Sequence, residues 1–226
     1  MYHKVGPLKC LMKITDETQP YIILLHGYGA NAYDLLNIKD AFNLSQTVNW
    51  IFPEAPLLAP VSFDGSGKAW FQVDSEQLTN FIENQETLEF SNITPFGLNE
   101  ALEQILEFIE ALNVPLDQIF LGGFSQGALM TVETVLKTSP SLKGFLIFSG
   151  TICHLKVWKE LKVSYELPFF QSHGLSDPIL SYKLAKKLVG ILKKKGFKGD
   201  LLSFEGAHEI PLEVIDKASE FINRYL

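Results

Sequence analysis

The pentapeptide Gly123-Phe124-Ser125-Gln126-Gly127 follows a short apolar run, Gln118-Ile119-Phe120-Leu121-Gly122, and precedes a helix-like stretch from Ala128 to Leu136. A serine between two glycines at a strand-to-helix junction has the pattern of a nucleophile elbow. The turn leaves no room for Cβ atoms beside the neighbouring strand and helix, and it lifts the hydroxyl to the carboxyl edge of a sheet. The amide of Gln126 opens the helix and can point at an oxyanion. Three fixed positions recur by accident in about one chain in ten of this length, so the pentapeptide gains its weight from context and from partners.

A serine of ordinary acidity is a poor nucleophile. It needs a histidine base, and the histidine needs a carboxylate to fix its tautomer and stabilise its cation. Asp177 lies just beyond Pro168-Phe169-Phe170-Gln171-Ser172-His173-Gly174, and His208 just beyond Leu201-Leu202-Ser203-Phe204-Glu205-Gly206, each in a turn before a helix. Taken alone, Asp177 also fits the cap of a helix beginning near Pro178, and His208 a surface histidine. Ser125, Asp177 and His208 each follow a different expected strand in the order Ser, Asp, His, which favours the triad. His173 belongs to its strand end and precedes the acid, while His3 and His154 lack a strand-loop context.

His26 closes the apolar run Tyr21-Ile22-Ile23-Leu24-Leu25 and opens His26-Gly27-Tyr28-Gly29. This loop is expected to supply a second oxyanion donor, the N–H of Tyr28, although a plain glycine-rich turn has the same composition. Trp70 and Phe71 are placed either in an acyl or alcohol pocket or in the core.

The elements that must position these groups alternate. Expected strands run from Lys9 to Ile14, Tyr21 to His26, Asn49 to Phe52, Gln118 to Leu121, Gly144 to Phe148, Pro168 to Ser172 and Leu201 to Phe204. The central ones are almost continuously apolar, as strands covered on both faces must be. Expected helices run from Asp34 to Phe42, Phe96 to Leu112, Gln126 to Thr138, Ser181 to Lys195 and Leu212 to Tyr225. The second carries Leu98, Ala101, Leu102, Ile105, Leu106, Ile109 and Leu112 along one stripe, with Thr94 expected to cap it and Pro95 at its first position. The rhythm is that of an α/β protein with a mostly parallel central sheet and helices on both faces. Residues 53–92 form the least regular stretch. It follows a strand, so it is expected to fold over the carboxyl edge where ligands bind.

At 226 residues, with 46% hydrophobic residues and 17 Phe, the chain suits one α/β domain spanning residues 1–226. No apolar run is long enough for a membrane span, and the N-terminus lacks the apolar core and cleavage site of a secretory signal, so cytoplasmic residence is expected. Cys10 and Cys153 lie far apart without metal-like spacing and are expected to be buried thiols. A net charge of −7 opposes binding to a nucleic-acid backbone. The lysines Lys186, Lys187, Lys193, Lys194, Lys195 and Lys198 read as the solvated face and last turn of a helix.

His26-Gly27-Tyr28-Gly29, Pro53-Glu54-Ala55-Pro56, Trp70-Phe71, the Phe-Ser-Gln-Gly elbow, Gly174-Leu175-Ser176-Asp177-Pro178-Ile179 and Ala207-His208-Glu209-Ile210 together resemble the phospholipase/carboxylesterase family, from about Tyr21 to the C-terminus. The resemblance implies an α/β-hydrolase fold and a serine hydrolase that acts on small-molecule carboxylic esters or thioesters without a metal or other cofactor. By matching positions it implies Ser125 as nucleophile, Asp177 as acid, His208 as base and the amides of Tyr28 and Gln126 as oxyanion donors. There are two departures from the family pattern. Gln72 and Val73 separate the aromatic pair from Asp74, and Ala207 stands where glycine is common. Activity on long-chain substrates, as in lysophospholipases or acyl-protein thioesterases, is an alternative. A peptidase and a non-catalytic binding module on the same scaffold are two more.

Overall fold

The structure, a computed structural model, describes residues 1–60, 67–84, 86–138, 141–160 and 166–226. The strands are β1 (His3–Val5), β2 (Leu8–Lys13), β3 (Tyr21–Leu25), β4 (Asn49–Pro53), β5 (Leu57–Leu58), β6 (Lys68–Ala69), β7 (Ile119–Phe124), β8 (Gly144–Phe148), β9 (Pro168–Gly174) and β10 (Lys198–Phe204). The helices are α1 (Ala32–Leu36), α2 (Ser75–Asn84), α3 (Leu98–Ala111), α4 (Gln126–Thr138), α5 (Leu155–Glu160), α6 (Tyr182–Lys194) and α7 (Leu212–Asn223). Eight strands form one sheet in the order β1-β2-β4-β3-β7-β8-β9-β10. β4, β3, β7, β8, β9 and β10 run parallel, and β1 and β2 add an antiparallel edge. This is the α/β-hydrolase architecture expected from the alternation of strands and helices.

The continuous apolar strands are explained by their two buried faces. Ile23, Leu25, Leu121, Phe145 and Ile147 pack with Leu102, Ile105 and Phe108 of α3, Leu129 and Val132 of α4 and Leu188 of α6. Their strand neighbours Ile22, Leu24, Phe120, Leu146 and Phe148 point the other way, onto Leu35 of α1 and Val214, Ala218 and Ile222 of α7. Side chains alternate across a strand, so a one-residue slip would exchange the two cores.

Boundaries shift where a local bond outweighs periodicity. The first helix starts at Ala32, before the expected Asp34, because Asn31 caps it and the Asp34 carboxylate accepts from the Asn31 amide at 2.7 Å. It then tightens into a 3-10 turn over Asn37–Ala41. Thr94 does not cap α3. Its hydroxyl pairs with His154, and the helix begins after Gly97, which takes a left-handed φ of 89°. Phe108, absent from the expected stripe, is fully buried, whereas Leu106 and Leu112 are only partly so. Residues 53–92 hold more order than expected: the β5–β6 hairpin, and α2, where Asp74 caps the first turn by accepting from the Glu76 amide at 2.8 Å. Phe63 to Ser66, within that stretch, lie outside the described residues. The strand β1 and the helix α5 were not expected.

In α6, Ala185, Leu188 and Leu192 are buried while Lys186, Lys187, Lys193 and Lys194 face solvent, the solvated face read from the lysine spacing. Cys10 and Cys153 are both buried free thiols. Burial pushes Cys10 up to about 11 and Cys153 well above its ordinary value.

Candidate active site

The elbow is built by close backbone approach. Ser125 takes a left-handed φ of 56°, a conformation that costs a non-glycine residue on the order of 1–3 kcal/mol. It is held there on both sides. Its N–H donates to the Phe148 carbonyl of β8 at 2.9 Å, and its own carbonyl accepts from Ala128 and Leu129 at 2.9 and 3.1 Å. A Cβ on Gly127 would stand 2.1 Å from the Leu25 carbonyl oxygen, and one on Gly123 would stand 2.4 Å from the Gly127 carbonyl. Backbone cannot swing aside as a side chain can. Gly127→Ala is therefore expected to cost at least about 3 kcal/mol, roughly 6–12 °C in Tm at this chain size. A thermal melt unchanged from the wild type would contradict this packing.

The loops after β9 and β10 are tied together. Leu175 donates to the Phe204 carbonyl at 2.9 Å and Ser176 to the Gly206 carbonyl at 3.0 Å. This brings Asp177 and His208 into contact, with His208 Nδ1 donating to Asp177 Oδ2 at 2.7 Å. The imidazole rests on the Phe124 ring, 4.8 Å between centroids. The Asp177 side chain is fully shielded, and its Oδ1 accepts from the amides of Ile179 and Leu180 at 2.8 and 2.9 Å. These are the turn bonds that a helix-cap reading anticipates, yet α6 begins only at Tyr182, so Asp177 serves the turn and the imidazole at once. Burial works to raise its carboxyl. Hydrogen bonds from His173 and His208, the charge on His208 and the Leu180 amide outweigh burial and hold it well below the ordinary carboxylate range.

Ser125 and His208 line one cavity of about 350 Å³, together with Gly27, Tyr28 and Gln126. The Ser125 hydroxyl has no hydrogen-bond partner among the described residues. The Gly27 loop crosses close by: a Cβ there would meet Ser125 Cβ at 3.3 Å. The amide of Gly29 is spent on the Lys68 carbonyl at 2.9 Å, whereas those of Tyr28 and Gln126 donate to no carbonyl among the described residues. Both residues line the cavity. The remaining wall is apolar. Val73, Leu78, Phe81, Leu88 and Phe90 come from the 53–92 stretch, and Phe124, Leu129, Ile179 and Leu180 from the sheet edge and its helices.

Trp70 and Phe71 are not part of that wall. Both are fully buried behind it, where they brace the loops that carry the two free amides. Trp70 Nε1 donates to the His26 carbonyl at 2.9 Å. The Gln126 side chain grips the same pair, accepting from the Trp70 amide and donating to the Phe71 carbonyl, each at 2.8 Å. Their place is the core, because an indole N–H and two backbone groups find buried partners there. Val73, one of the two residues that separate the aromatic pair from Asp74, takes a place in the wall, and Asp74 faces solvent.

Sequence reasoning missed the struts. His26 is wholly buried, and its Nε2 accepts from the Ala55 amide at 3.0 Å, which leaves the proton on Nδ1 to donate to the Gly27 carbonyl at 2.8 Å. Burial lowers its basicity, in keeping with a neutral ring that fastens the Tyr28 loop to Pro53-Glu54-Ala55-Pro56. The sequence signals for α2 were Asp74 with Gln77 three residues later and the apolar i, i+3, i+4 set Leu78, Phe81 and Ile82. Among the described residues, no three His, Cys, Asp or Glu are grouped to hold a metal ion, and no helix is long and apolar enough to cross a membrane.

The model of the phospholipase/carboxylesterase family matches residues 10–226. The chain belongs to that family. Within it, the chain is 30% identical over 216 residues to acyl-protein thioesterase 1 of Candida albicans, covering 89% of this chain and 90% of that protein. The fold matches the crystal structure of a Bacillus cereus carboxylesterase with a TM-score of 0.76 at 17% identity, covering 97% of this chain and 95% of the other. It also matches that of Arabidopsis thaliana SOBER1, with a TM-score of 0.70 at 22% identity over 92% and 99% of the two chains. Membership of the family supports an esterase-type hydrolase.

Proposed function

We propose that this family member cleaves carboxylic ester or thioester bonds through an acyl-enzyme, with Ser125 as nucleophile, His208 as base and Asp177 as the acid that orients it. The observation that supports this most is the pairing of His208 Nδ1 with Asp177 Oδ2 at 2.7 Å beside a cavity that His208 shares with Ser125. His208 Nε2 takes the proton as Ser125 Oγ attacks the acyl carbonyl. The amides of Tyr28 and Gln126 receive the oxyanion, and the imidazolium returns its proton to the leaving alcohol or thiol. Water then repeats the sequence on the acyl-serine.

Because Asp177 stays ionised well into acid, the histidine alone sets the acid limb of the rate. Activity requires neutral His208, so kcat/KM for a p-nitrophenyl ester is expected to fall at acid pH. A rate that stays flat from neutral into acid pH would remove His208 as base.

The apolar wall of the cavity supports a preference for substrates with extended acyl chains over acetyl esters. Its apolar side chains release water as methylenes enter, worth about 0.8 kcal/mol for each one fully buried. Across a series of p-nitrophenyl esters and acyl-thioesters, kcat/KM is expected to climb with chain length until the cavity is full. A maximum at acetate would favour a short-chain carboxylesterase instead.

A further inference from the structure

His173 lies one residue before the end of β9 and four before Asp177, with its side chain wholly buried. Its Nε2 lies 2.8 Å from the Leu180 carbonyl oxygen and 3.2 Å from Asp177 Oδ2. A carbonyl oxygen only accepts, so Nε2 carries a proton, which it donates to Leu180 with Asp177 Oδ2 in close electrostatic contact. Nδ1 is buried with no hydrogen-bond partner among the described residues. A proton there would be a stranded donor, so the ring is the neutral Nε2–H tautomer. Tyr182 packs on its other side, 6.2 Å between ring centroids, with its hydroxyl engaged by Ser203 Oγ at 2.7 Å.

We infer that His173 is a positioning residue for Asp177, a role that rests on the assignment of Ser125, His208 and Asp177 proposed above. A carboxylate has about four acceptor sites. Here Oδ1 accepts from the amides of Ile179 and Leu180, Oδ2 accepts from His208 Nδ1, and His173 Nε2 stands 3.2 Å from Oδ2. His173 is the fourth N–H group beside the carboxylate. With it in place Oδ2 lies between two imidazoles. Without it, Oδ2 is left to His208 alone, which then holds a proton more tightly. His173 also ties the acid to the substrate wall. Leu180, whose carbonyl it grips, bonds Asp177 through its amide and lines the cavity with its side chain.

The test compares His173→Leu, which offers no donor, with His173→Gln, whose amide nitrogen stands where Nε2 does. If His173→Leu does not fold, His173→Asn, whose amide stops one atom short, replaces it. In p-nitrophenyl ester hydrolysis the donor-less variant is expected to lose about 10–100-fold in kcat, the size typical of groups that orient a functional imidazole from behind, with KM nearly unchanged. The midpoint of its acid limb moves to higher pH, and His173→Gln recovers most of both. Fluorophosphonate labelling of the wild type runs alongside. Labelling of wild-type Ser125 together with a donor-less variant of unaltered kcat and midpoint overturns the role of His173 alone. So does an equal loss in the Leu (or Asn) and Gln variants with the midpoint unmoved. A wild type that neither labels nor hydrolyses the ester overturns the Ser125 assignment and this role with it.

Discussion

Ser125→Ala is expected to lower kcat for ester hydrolysis by on the order of 10⁶ while leaving the melting temperature within a degree or two of the wild type. The two halves of that result come from the same observation. The Ser125 hydroxyl opens on the cavity and makes no hydrogen bond to another described residue, whereas its backbone N–H and carbonyl carry the elbow. Removing one oxygen therefore leaves the turn, its left-handed φ and the flanking contacts as they are. It removes the only group that the proposed reaction acylates. The cavity, its two free amides and the His208–Asp177 pair persist in the variant, so a small residue of rate enhancement over water is expected from binding and oxyanion stabilisation. Retention of most of the ester hydrolysis in a folded Ser125→Ala protein would remove this serine as nucleophile.

Asp177→Asn is expected to cost roughly 10⁴ in kcat. The carboxylate accepts at both oxygens from three N–H groups and has a fourth, His173 Nε2, 3.2 Å from Oδ2, whereas an amide offers one oxygen and one NH₂. If the NH₂ takes the place of Oδ2, it confronts His208 Nδ1–H. The ring must then present a lone pair at Nδ1 and carry its proton on Nε2, where it cannot accept one from Ser125. If the NH₂ takes the place of Oδ1, it confronts the Ile179 and Leu180 amides, and the turn that places the residue is broken. The first arrangement disturbs less structure, so the expected variant is folded, binds substrate with KM near the wild type and turns over slowly. Near-wild-type kcat in a folded Asp177→Asn protein would mean that the His208–Asp177 bond plays no part in the reaction.

The central strands of the sheet were legible because their signal is strong and local. Tyr21 to Leu25 and Gly144 to Phe148 are apolar at every position, which only a strand buried on both faces explains. Ser125, Asp177 and His208 were legible for a different reason. The sheet order places the ends of β7, β9 and β10 on one edge, so residues that follow those strands are forced toward each other. Trp70 and Phe71 carry no such constraint. Their types fit a pocket and a core equally, and what decides is the set of buried partners that Gln126 and His26 offer, more than forty residues away along the chain. The same holds for Thr94, whose claim on the start of α3 is lost to His154. The short β5–β6 hairpin and α2 were hidden by length, since elements of two to ten residues give periodicity little room to register.

Quenching the wild-type enzyme in acid during turnover of a p-nitrophenyl ester, digesting it and weighing the peptides tests the proposed chemistry most directly. The expected result is one acyl group added to the peptide that contains Ser125, absent from Ser125→Ala and gone once substrate is exhausted. Turnover with the acyl group on another peptide, or with no adduct at any time of quench or in a slowed Asp177→Asn enzyme, would contradict the acyl-serine route.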